Sequence, residues 1–240
     1  MKHSSFSNDL LVEQEVGRFL DTYLYDQLSN EYDLQYRRIN DEHSQHKGVD
    51  IQMTTKNPQI LLNIDEKTAT HYFKNNISNR GLNTFAMELW YKKDGKEKSG
   101  WLFNDKYCDT NAYLFSWGWT KNEITNWKDI KFENIIQIES VLVLKKDLYA
   151  LLDNNYSINK SNHLEVSSEV RNNIDNYQLK GQKYYVKETG GPYWFKSKPE
   201  NYAEEPLNVL LLKNQLISIS KLHAVVSPYK YKFTIRQKEK

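Results

Sequence analysis

Residues 60–67 read ILLNIDEK, an apolar run that ends in an acid, a variable residue and a lysine. The apolar start and the length of this segment predict a β-strand that is buried on at least one face. Side chains two positions apart in a strand share a face, so Asp65 and Lys67 point the same way and Glu66 points to the other side. The segment therefore predicts an acid and a lysine close together at the end of a core strand.

A second short strand is predicted just upstream, where residues 48–53 read GVDIQM. Asn57 and Pro58 form a turn signal between the two segments. A connection this short favours antiparallel pairing of the two strands, and that pairing brings Asp50 near Asp65. We expect two carboxylates to meet at this point of the sheet.

The acid-any-lysine triplet is common, and its context decides whether it matters. Triplets of this kind start at Asp65, Asp94 and Asp129, and about three are expected by chance in a chain with this many charges. Asp94 is followed by glycine in a predicted hairpin turn, and no apolar strand leads into Asp129. Only Asp65 ends an apolar strand, so we single out that triplet.

The chemistry of this constellation is that of a hard-cation site. Two carboxylates at one point, Asp50 and Asp65, suit Mg²⁺, which keeps several of its own waters; Mn²⁺ can substitute. A metal bound there lowers the pKa of a bound water and stabilises charge on a phosphoryl oxygen. Lys67 beside it can orient the attacking water or neutralise the charge that develops on the phosphate.

The motifs at residues 48–50 and 64–69 resemble those of the PD-(D/E)XK nuclease superfamily, which includes many restriction enzymes and repair nucleases. Val49 stands where the family name has proline. The resemblance covers roughly residues 9–120 and implies an α/β core, with a central mixed sheet flanked by helices, that hydrolyses phosphodiester bonds with Mg²⁺. It also implies a helical glutamate ahead of the first strand, which matches Glu13, with Glu15 as the alternative.

The chain as a whole predicts an α+β protein. We expect a nuclease-like core over residues 1–140 and an added strand–helix region over residues 141–240. Two similar segments, 141–148 and 209–216, each predict a strand that runs into a short helix. The remaining predictions are helices at 9–28 and around 68–78, strands at 34–39, 84–91, 100–103 and 113–119, an Asn- and Ser-rich loop at 153–176, and a hairpin at 180–200 around Gly190-Gly191-Pro192.

Composition limits the class of protein. The 6 Trp and 17 Tyr exclude a disordered chain. The single cysteine, Cys108, excludes an internal disulfide and a Cys-rich zinc site, and it predicts a reducing compartment with a buried, inert thiol. We find no signal peptide and no apolar run long enough for a membrane span, so we expect a cytoplasmic protein. A net charge of +2 is too small to indicate a nucleic-acid coat.

Two other features allow both a structural and a functional interpretation, and two further motifs lack the pattern that a functional site requires. His71 follows Lys67 by about one turn of the helix predicted around 68–78 and either contacts a phosphate or is an ordinary helix residue. The aromatic segment 113–119 forms either core or a base-stacking surface. His43 and His46 lack the pattern of a zinc site, and Gly190-Gly191 lacks the lysine of a phosphate loop.

These observations predict a Mg²⁺-dependent DNA endonuclease that acts in restriction, phage defence or mobile-element biology, with RNA as a less favoured substrate. The catalytic residues are Asp50, Asp65, Lys67 and Glu13, and the metal ligands are Asp50 and Asp65. A homodimer is expected on duplex DNA, because one such site cuts one strand and a double-strand break needs two. The alternative is an inactive nuclease-fold module that binds nucleic acid or a partner protein.

Overall fold

The computed structural model describes residues 6–39, 41, 47–56, 59–93, 95–172, 183–185, 192–196 and 206–236. Two β-sheets form its frame, with helices packed against them. The strands are β1 (Leu34–Arg38), β2 (Ile51–Thr55), β3 (Ile60–Thr68), β4 (Lys74–Asn75), β5 (Thr84–Lys93), β6 (Lys96–Ser99), β7 (Ala112–Thr120), β8 (Ile135–Leu144), β9 (Lys183–Tyr185), β10 (Tyr193–Lys196), β11 (Leu207–Leu212), β12 (Leu222–Val226) and β13 (Tyr231–Ile235).

The helices are α1 (Phe6–Leu20), α2 (Asp26–Glu31), α3 (Lys145–Tyr156), α4 (His163–Asn172) and α5 (Lys213–Ile219). A π-helical turn at Asp21–Tyr25 joins α1 to α2 without a break, so the helix predicted at 9–28 is confirmed. Its apolar stripe is buried, as the spacing requires: Val12, Val16, Phe19, Leu20 and Leu24. None of the described helices is both long and apolar enough to span a membrane.

The first sheet has the strand order β1-β2-β3-β7-β8-β12-β13, with β4 beside β7. The β3–β7 and β4–β7 pairs are parallel and the other pairs are antiparallel, so the sheet is mixed. The second sheet is antiparallel, in the order β6-β5-β11-β10-β9. The predicted α+β class with a central mixed sheet is confirmed.

Strand β7 lies at the centre of the molecule and is buried along its whole length. Its aromatic residues Tyr113, Phe115, Trp117 and Trp119 belong to the core that lies between the two sheets. Its small and aliphatic side chains face the core under α1 and α2. The aromatic segment is therefore core, and it offers no exposed ring for base stacking.

Several local predictions are wrong. Residues 70–72 form a short 3₁₀ turn and β4 follows, where a helix was predicted around 68–78, because residues 74–75 pair with β7 and Asn76 takes a positive φ. The return strand is β6 rather than 100–103, since Lys93 pairs directly with Lys96. The Asn- and Ser-rich segment was predicted as a loop, but α3 and α4 cover most of it.

The reason for this last error lies in the role of the polar side chains. Ser157 ends α3 in the left-handed conformation. Asn159 Oδ1 accepts hydrogen bonds from Ser161 N–H at 3.0 Å and Ser161 Oγ at 2.6 Å. These residues shape the short turn between two helices, so their abundance marks a helix–helix connection rather than a long loop.

Cys108 is exposed, so the prediction of a buried thiol is wrong. The segment 105–111 runs along the surface between two strands, and sequence composition carries no signal for that placement. The hairpin predicted at 180–200 is confirmed to the extent that β9 pairs antiparallel with β10. The turn signals at Asn57-Pro58, Asp94 and Gly190-Gly191, and the histidines His43 and His46, lie outside the described residues.

The later part of the chain completes both sheets. The predicted domain boundary at residue 140 falls inside β8, which pairs with β7 along its length. The two similar segments are both strands that run into helices, as predicted: β8 leads into α3 and β11 into α5. They belong to different sheets, however, because β11 pairs with β5.

Candidate active site

The site is built at the junction of β2 and β3. These strands pair antiparallel, as predicted, with Ile51 opposite Ile64. The backbone continues this pairing one residue further, since Asp50 N–H donates to the Ile64 carbonyl at 2.9 Å. The Asp50 Oδ2 then accepts a hydrogen bond from the backbone N–H of Glu66 at 2.7 Å. Register alone therefore places Asp50 beside the acid-any-lysine triplet.

Asp65 is the most deeply buried acid of the site, with 2% of its surface exposed. Its Oδ1 lies 2.7 Å from Lys67 Nζ. Burial raises the pKa of Asp65 to about 7, Lys67 opposes that shift, and Asp50 adds to it by its charge and by hydrogen bonding. Asp50 and Asp65 thus form a close pair of carboxylates in a poorly hydrated place.

Lys67 holds the positive charge opposite these acids. Burial alone would lower the pKa of Lys67, but the charges of Asp65 and Asp50 and, more weakly, of Glu13 raise it. Its Nζ also lies 5.3 Å from the centre of the Trp101 ring, within the range of a cation–π contact. The ammonium group is therefore held between a carboxylate pair and an aromatic face.

Only one of the two helical glutamates lies near the carboxylate cluster. Glu13 lies at the exposed rim of the site; partial desolvation raises its pKa, Lys67 opposes that shift, and Asp50 adds to it. Glu15 faces elsewhere, with its Oε2 accepting from Phe132 N–H at 2.9 Å and pairing with Arg18 at 3.1 Å. The helix thus brings Glu13, and not Glu15, to the Asp50–Lys67 cluster.

Gly48 lets the loop before β2 approach Asp65 closely. Its φ is +75°, a conformation that favours glycine. A Cβ at this position would lie 2.7 Å from the Tyr107 ring and 3.4 Å from Asp65 Oδ2. Thr110 Oγ1 donates to the Gly48 carbonyl at 2.7 Å and fixes the loop there. Glycine at position 48 is therefore required by backbone geometry and by the space that Tyr107 and Asp65 occupy.

The opposite face of β3 carries a separate ion network. Glu66 Oε2 accepts from Arg38 Nη1 at 2.7 Å, and its Oε1 accepts from the Tyr25 hydroxyl at 2.8 Å. Arg38 also binds Asp21, with its Nε and Nη2 each 2.8 Å from a carboxylate oxygen. Asp21 and Tyr25 are the first and last residues of the π-helical turn. As predicted from strand alternation, Glu66 points away from Asp65 and Lys67.

Sequence reasoning missed three residues that surround the cluster: Trp101, Tyr107 and Lys145. Lys145 Nζ donates to the Tyr107 carbonyl at 2.7 Å. Burial lowers the pKa of Lys145, and the charges of Cys108 and Asp65 oppose that shift. One signal was available, because Lys145 directly follows the apolar strand β8 in the way that Lys67 ends β3. The aromatic residues come from a loop that is distant in sequence, and nothing local marks them.

His71 does not reach the carboxylate cluster. Its ring stacks on Trp127 with 3.9 Å between centroids, and its Nε2 lies 3.1 Å from Asp9 Oδ1. It sits in the 3₁₀ turn that follows β3, so the predicted helical position is wrong. His71 instead lines a neighbouring pocket together with Asp9.

The donor set is a pair of carboxylates. Among the described residues, no group of three or more His, Cys, Asp or Glu side chains is arranged to hold a metal ion. Asp50 and Asp65 nevertheless fit a hard divalent cation, because both offer oxygen and their mutual repulsion in a buried place is relieved by positive charge. Glu13 at the rim adds a third acid to the surroundings without joining that group.

Comparison with known proteins adds no assignment. No protein-family model matches this chain, and neither the curated proteins nor the solved structures include a match to it.

Proposed function

We propose that this protein is a Mg²⁺-dependent endonuclease of the PD-(D/E)XK type that hydrolyses phosphodiester bonds in DNA. The observation that carries the proposal is the contact between Asp50 and Asp65 opposite Lys67, at the end of a core strand. Acids held together in a buried place reduce stability, and clusters of this kind are concentrated at functional sites. The general α+β fold with a mixed central sheet is compatible with such a core.

Each residue has a distinct chemical role in this proposal. Asp50 and Asp65 would hold the ion, which when bound lowers the pKa of a water and stabilises charge on the phosphate. Lys67 is a donor without acceptor capacity, so it binds a non-bridging phosphate oxygen and stabilises the charge that develops there. Glu13 at the exposed rim is placed to accept the proton of the attacking water.

The surroundings of the site support these roles. Trp101 limits the positions that the Lys67 ammonium group can take, so less conformational entropy is lost when it binds phosphate. The Glu66 N–H fixes one oxygen of Asp50, and the Asp50 carboxylate also interacts with that of Asp65. Backbone register and one aromatic contact thus hold the side chains of the site in position.

The test is incubation of the purified protein with supercoiled plasmid, single-stranded DNA and RNA, each with Mg²⁺, with Mn²⁺ and with a chelator. We expect metal-dependent cleavage of DNA that Asp65→Asn abolishes. The matched control is Asp129→Asn, which changes the exposed acid of another acid-any-lysine triplet and should cut like the wild type. Cleavage of RNA alone would change the substrate, and no cleavage of any substrate would favour a binding module with a nuclease-like site.

We propose further that the active form on duplex DNA is a homodimer. A single site of this kind cuts one strand, so a double-strand break requires two sites related by symmetry. Light scattering and plasmid cleavage test this together. A dimer that linearises plasmid only when both subunits carry Asp65 would support it. A monomer that only nicks plasmid would refute it.

A further inference from the structure

A pocket of about 310 Å³ opens beside the candidate active site. Its inner wall is apolar and includes Phe85, Leu210 and Phe195, of which Phe85 and Leu210 are buried. Polar side chains, among them Asp9 and His71, line the remainder. An apolar pocket with a few polar groups at its edge is the usual form of a small-ligand site.

Two neighbouring elements lead from the candidate active site into this pocket. On α1, Asp9 lines the pocket and lies one helical turn before Glu13, whose pKa its charge raises. On β3, Lys67 is followed by Thr68, whose side chain points to the opposite face of the strand, and the chain then continues through residues 69–72, all of which line the pocket. The site and the pocket therefore lie next to each other along both elements.

A third element follows the same course. On β5, Ala86 lines the pocket, and Glu88 two residues later lies on the same face of the strand. The charges of Glu88, Asp65 and Lys67 all act on the Tyr107 hydroxyl. Glu88 therefore belongs to the surroundings of the active site, and β5 runs from there to the pocket that Ala86 lines.

The chemistry of the pocket favours a flat, apolar ring. Asp9 and His71 are hydrogen-bonded to each other, and His71 is stacked on Trp127. These two polar groups are thus already engaged, and the rest of the lining is mostly apolar and partly aromatic, with a few hydroxyl groups from threonines and Tyr72. Stacking on such a surface is tolerant of sequence, because every nucleobase has a π-face.

We propose that this pocket holds one unpaired nucleobase of the strand whose phosphate is bound at Lys67. The proposal rests on the proposed nuclease function and gives its substrate class: single-stranded or locally unpaired DNA. A base inside a duplex is stacked and paired, so it must leave the helix to enter a pocket of this kind. An unpaired base enters without that cost, so single strands are the preferred substrate, and a duplex is cut more slowly, at positions where a base has left the stack.

The test measures binding in EDTA, so that it does not depend on cleavage. The probes are a fluorescein-labelled 12-nucleotide oligothymidylate and a strand of the same length in which every base is replaced by an abasic site. Both carry the same phosphates, so a difference in affinity reports the bases. We expect the oligothymidylate to bind at least about tenfold more tightly, in line with the stacking energy of one base.

Two substitutions locate this preference in the pocket. Ala86→Ile fills the pocket with a side chain that suits an exposed strand position, and Phe195→Ala removes part of its aromatic wall. Both should bring the affinity for oligothymidylate close to that for the abasic strand, while binding of the abasic strand stays unchanged and reports that the variant is folded. The control is Thr234→Ile, which adds apolar bulk on the exposed strand β13 and should keep the full preference.

The outcomes distinguish this proposal from the nuclease assignment. Equal affinity for the two strands, or a preference that both pocket variants retain, overturns the nucleobase pocket, even if the protein cuts DNA. A base preference that the pocket variants remove supports the pocket, even if no cleavage is seen with any metal. Cleavage of duplex plasmid at the rate of single strands also counts against it, because it shows that an unpaired base is not needed.

Discussion

The two faces of β3 carry buried charges that are satisfied in different ways. On one face, each oxygen of Glu66 has a hydrogen-bond donor, from Arg38 and Tyr25, and Arg38 also binds Asp21. On the other face, Asp65 meets Lys67 on one side and a second carboxylate, Asp50, on the other. Adjacent residues of one strand thus take part in a closed ion network and in an acid–acid contact.

The two ways of satisfying buried charge have different consequences for the stability of the fold. A closed network of acids and a guanidinium holds elements together, here β1, β3 and the π-helical turn, and breaking it leaves a buried charge unpaired. An acid–acid contact in a buried place opposes folding, and proteins retain such local conflicts mainly at functional sites. We therefore propose that the Glu66 face stabilises the fold and that the Asp65 face carries the chemistry.

The largest expected effect is on cleavage. We expect Asp65→Ala and Lys67→Ala each to lower the rate of metal-dependent DNA cleavage by at least about a hundredfold, because each removes charge at the reacting phosphate. Because Asp65 is buried inside β3, the fold of each variant is checked by circular dichroism and by its free energy of unfolding before rates are compared. Full activity in either folded variant would remove these residues from the site. Glu66→Ala should lower the cleavage rate less than these two substitutions do, when rates are compared per amount of folded protein.

Loss of Arg38 should lower the stability of the fold rather than act on the cleavage step itself. Removing one partner of a buried ion pair costs about 3 kcal/mol or more, and the Arg38 side chain is 26% exposed. We therefore expect Arg38→Ala to lower the free energy of unfolding by about 2–3 kcal/mol in urea titrations. The matched control is Arg37→Ala on the exposed side of the same strand, with an expected change within about 0.5 kcal/mol. Equal losses in the two variants would show that the network adds no stability.

The acid–acid contact predicts a particular dependence on pH. The folded chain binds the Asp65 proton more tightly than the unfolded chain does, since its pKa is raised to about 7 from about 4 in an unfolded chain. This carboxyl therefore makes stability fall as pH rises from about 4 to about 7. In metal-free buffer, Asp65→Asn should gain on the order of 4 kcal/mol relative to wild type between these limits, at about 1.4 kcal/mol per pH unit. A difference that is constant with pH would contradict the shift.

The smallest effect concerns the helical acid. We expect Glu13→Gln to slow cleavage by about tenfold, because it removes a proton acceptor at the rim. Glu15→Gln is the paired control and should cleave at the wild-type rate. Its amide oxygen can still accept from the Phe132 N–H, so the loss of the ion pair with Arg18 should cost no more than about 1 kcal/mol of stability. If Glu15→Gln impairs cleavage more than Glu13→Gln does, the roles given to these two residues are reversed.

The parts of the site that could be predicted are the parts encoded locally. Strand alternation gave the opposite directions of Asp65 and Glu66, and a short connection gave the antiparallel partner that carries Asp50. The identity of the helical acid was left open between Glu13 and Glu15, because helical spacing alone does not show which face meets β3. That choice depends on the angle at which α1 packs, which is a tertiary property.

The remaining errors have the same origin. Tyr107 and Trp101 reach the site from loops far away in sequence, and no local pattern marks such contacts. The helix predicted around 68–78 is replaced by β4, since pairing with β7 outweighs local propensity there. A composition rich in Asn and Ser predicts a loop, although at Asn159 these residues form the compact turn that joins α3 to α4.

Direct titration with Mn²⁺, followed by the electron paramagnetic resonance signal of the free ion, tests the central claim that the Asp65 face is a metal-dependent catalytic site. The comparison uses the wild type, Asp65→Asn and Glu66→Gln, which change neighbouring acids on opposite faces of β3. The account predicts that the wild type and Glu66→Gln bind Mn²⁺ with similar affinity, and that Asp65→Asn binds it at least about tenfold more weakly. Absence of Mn²⁺ binding to the wild type, or equal binding by Asp65→Asn, would contradict it.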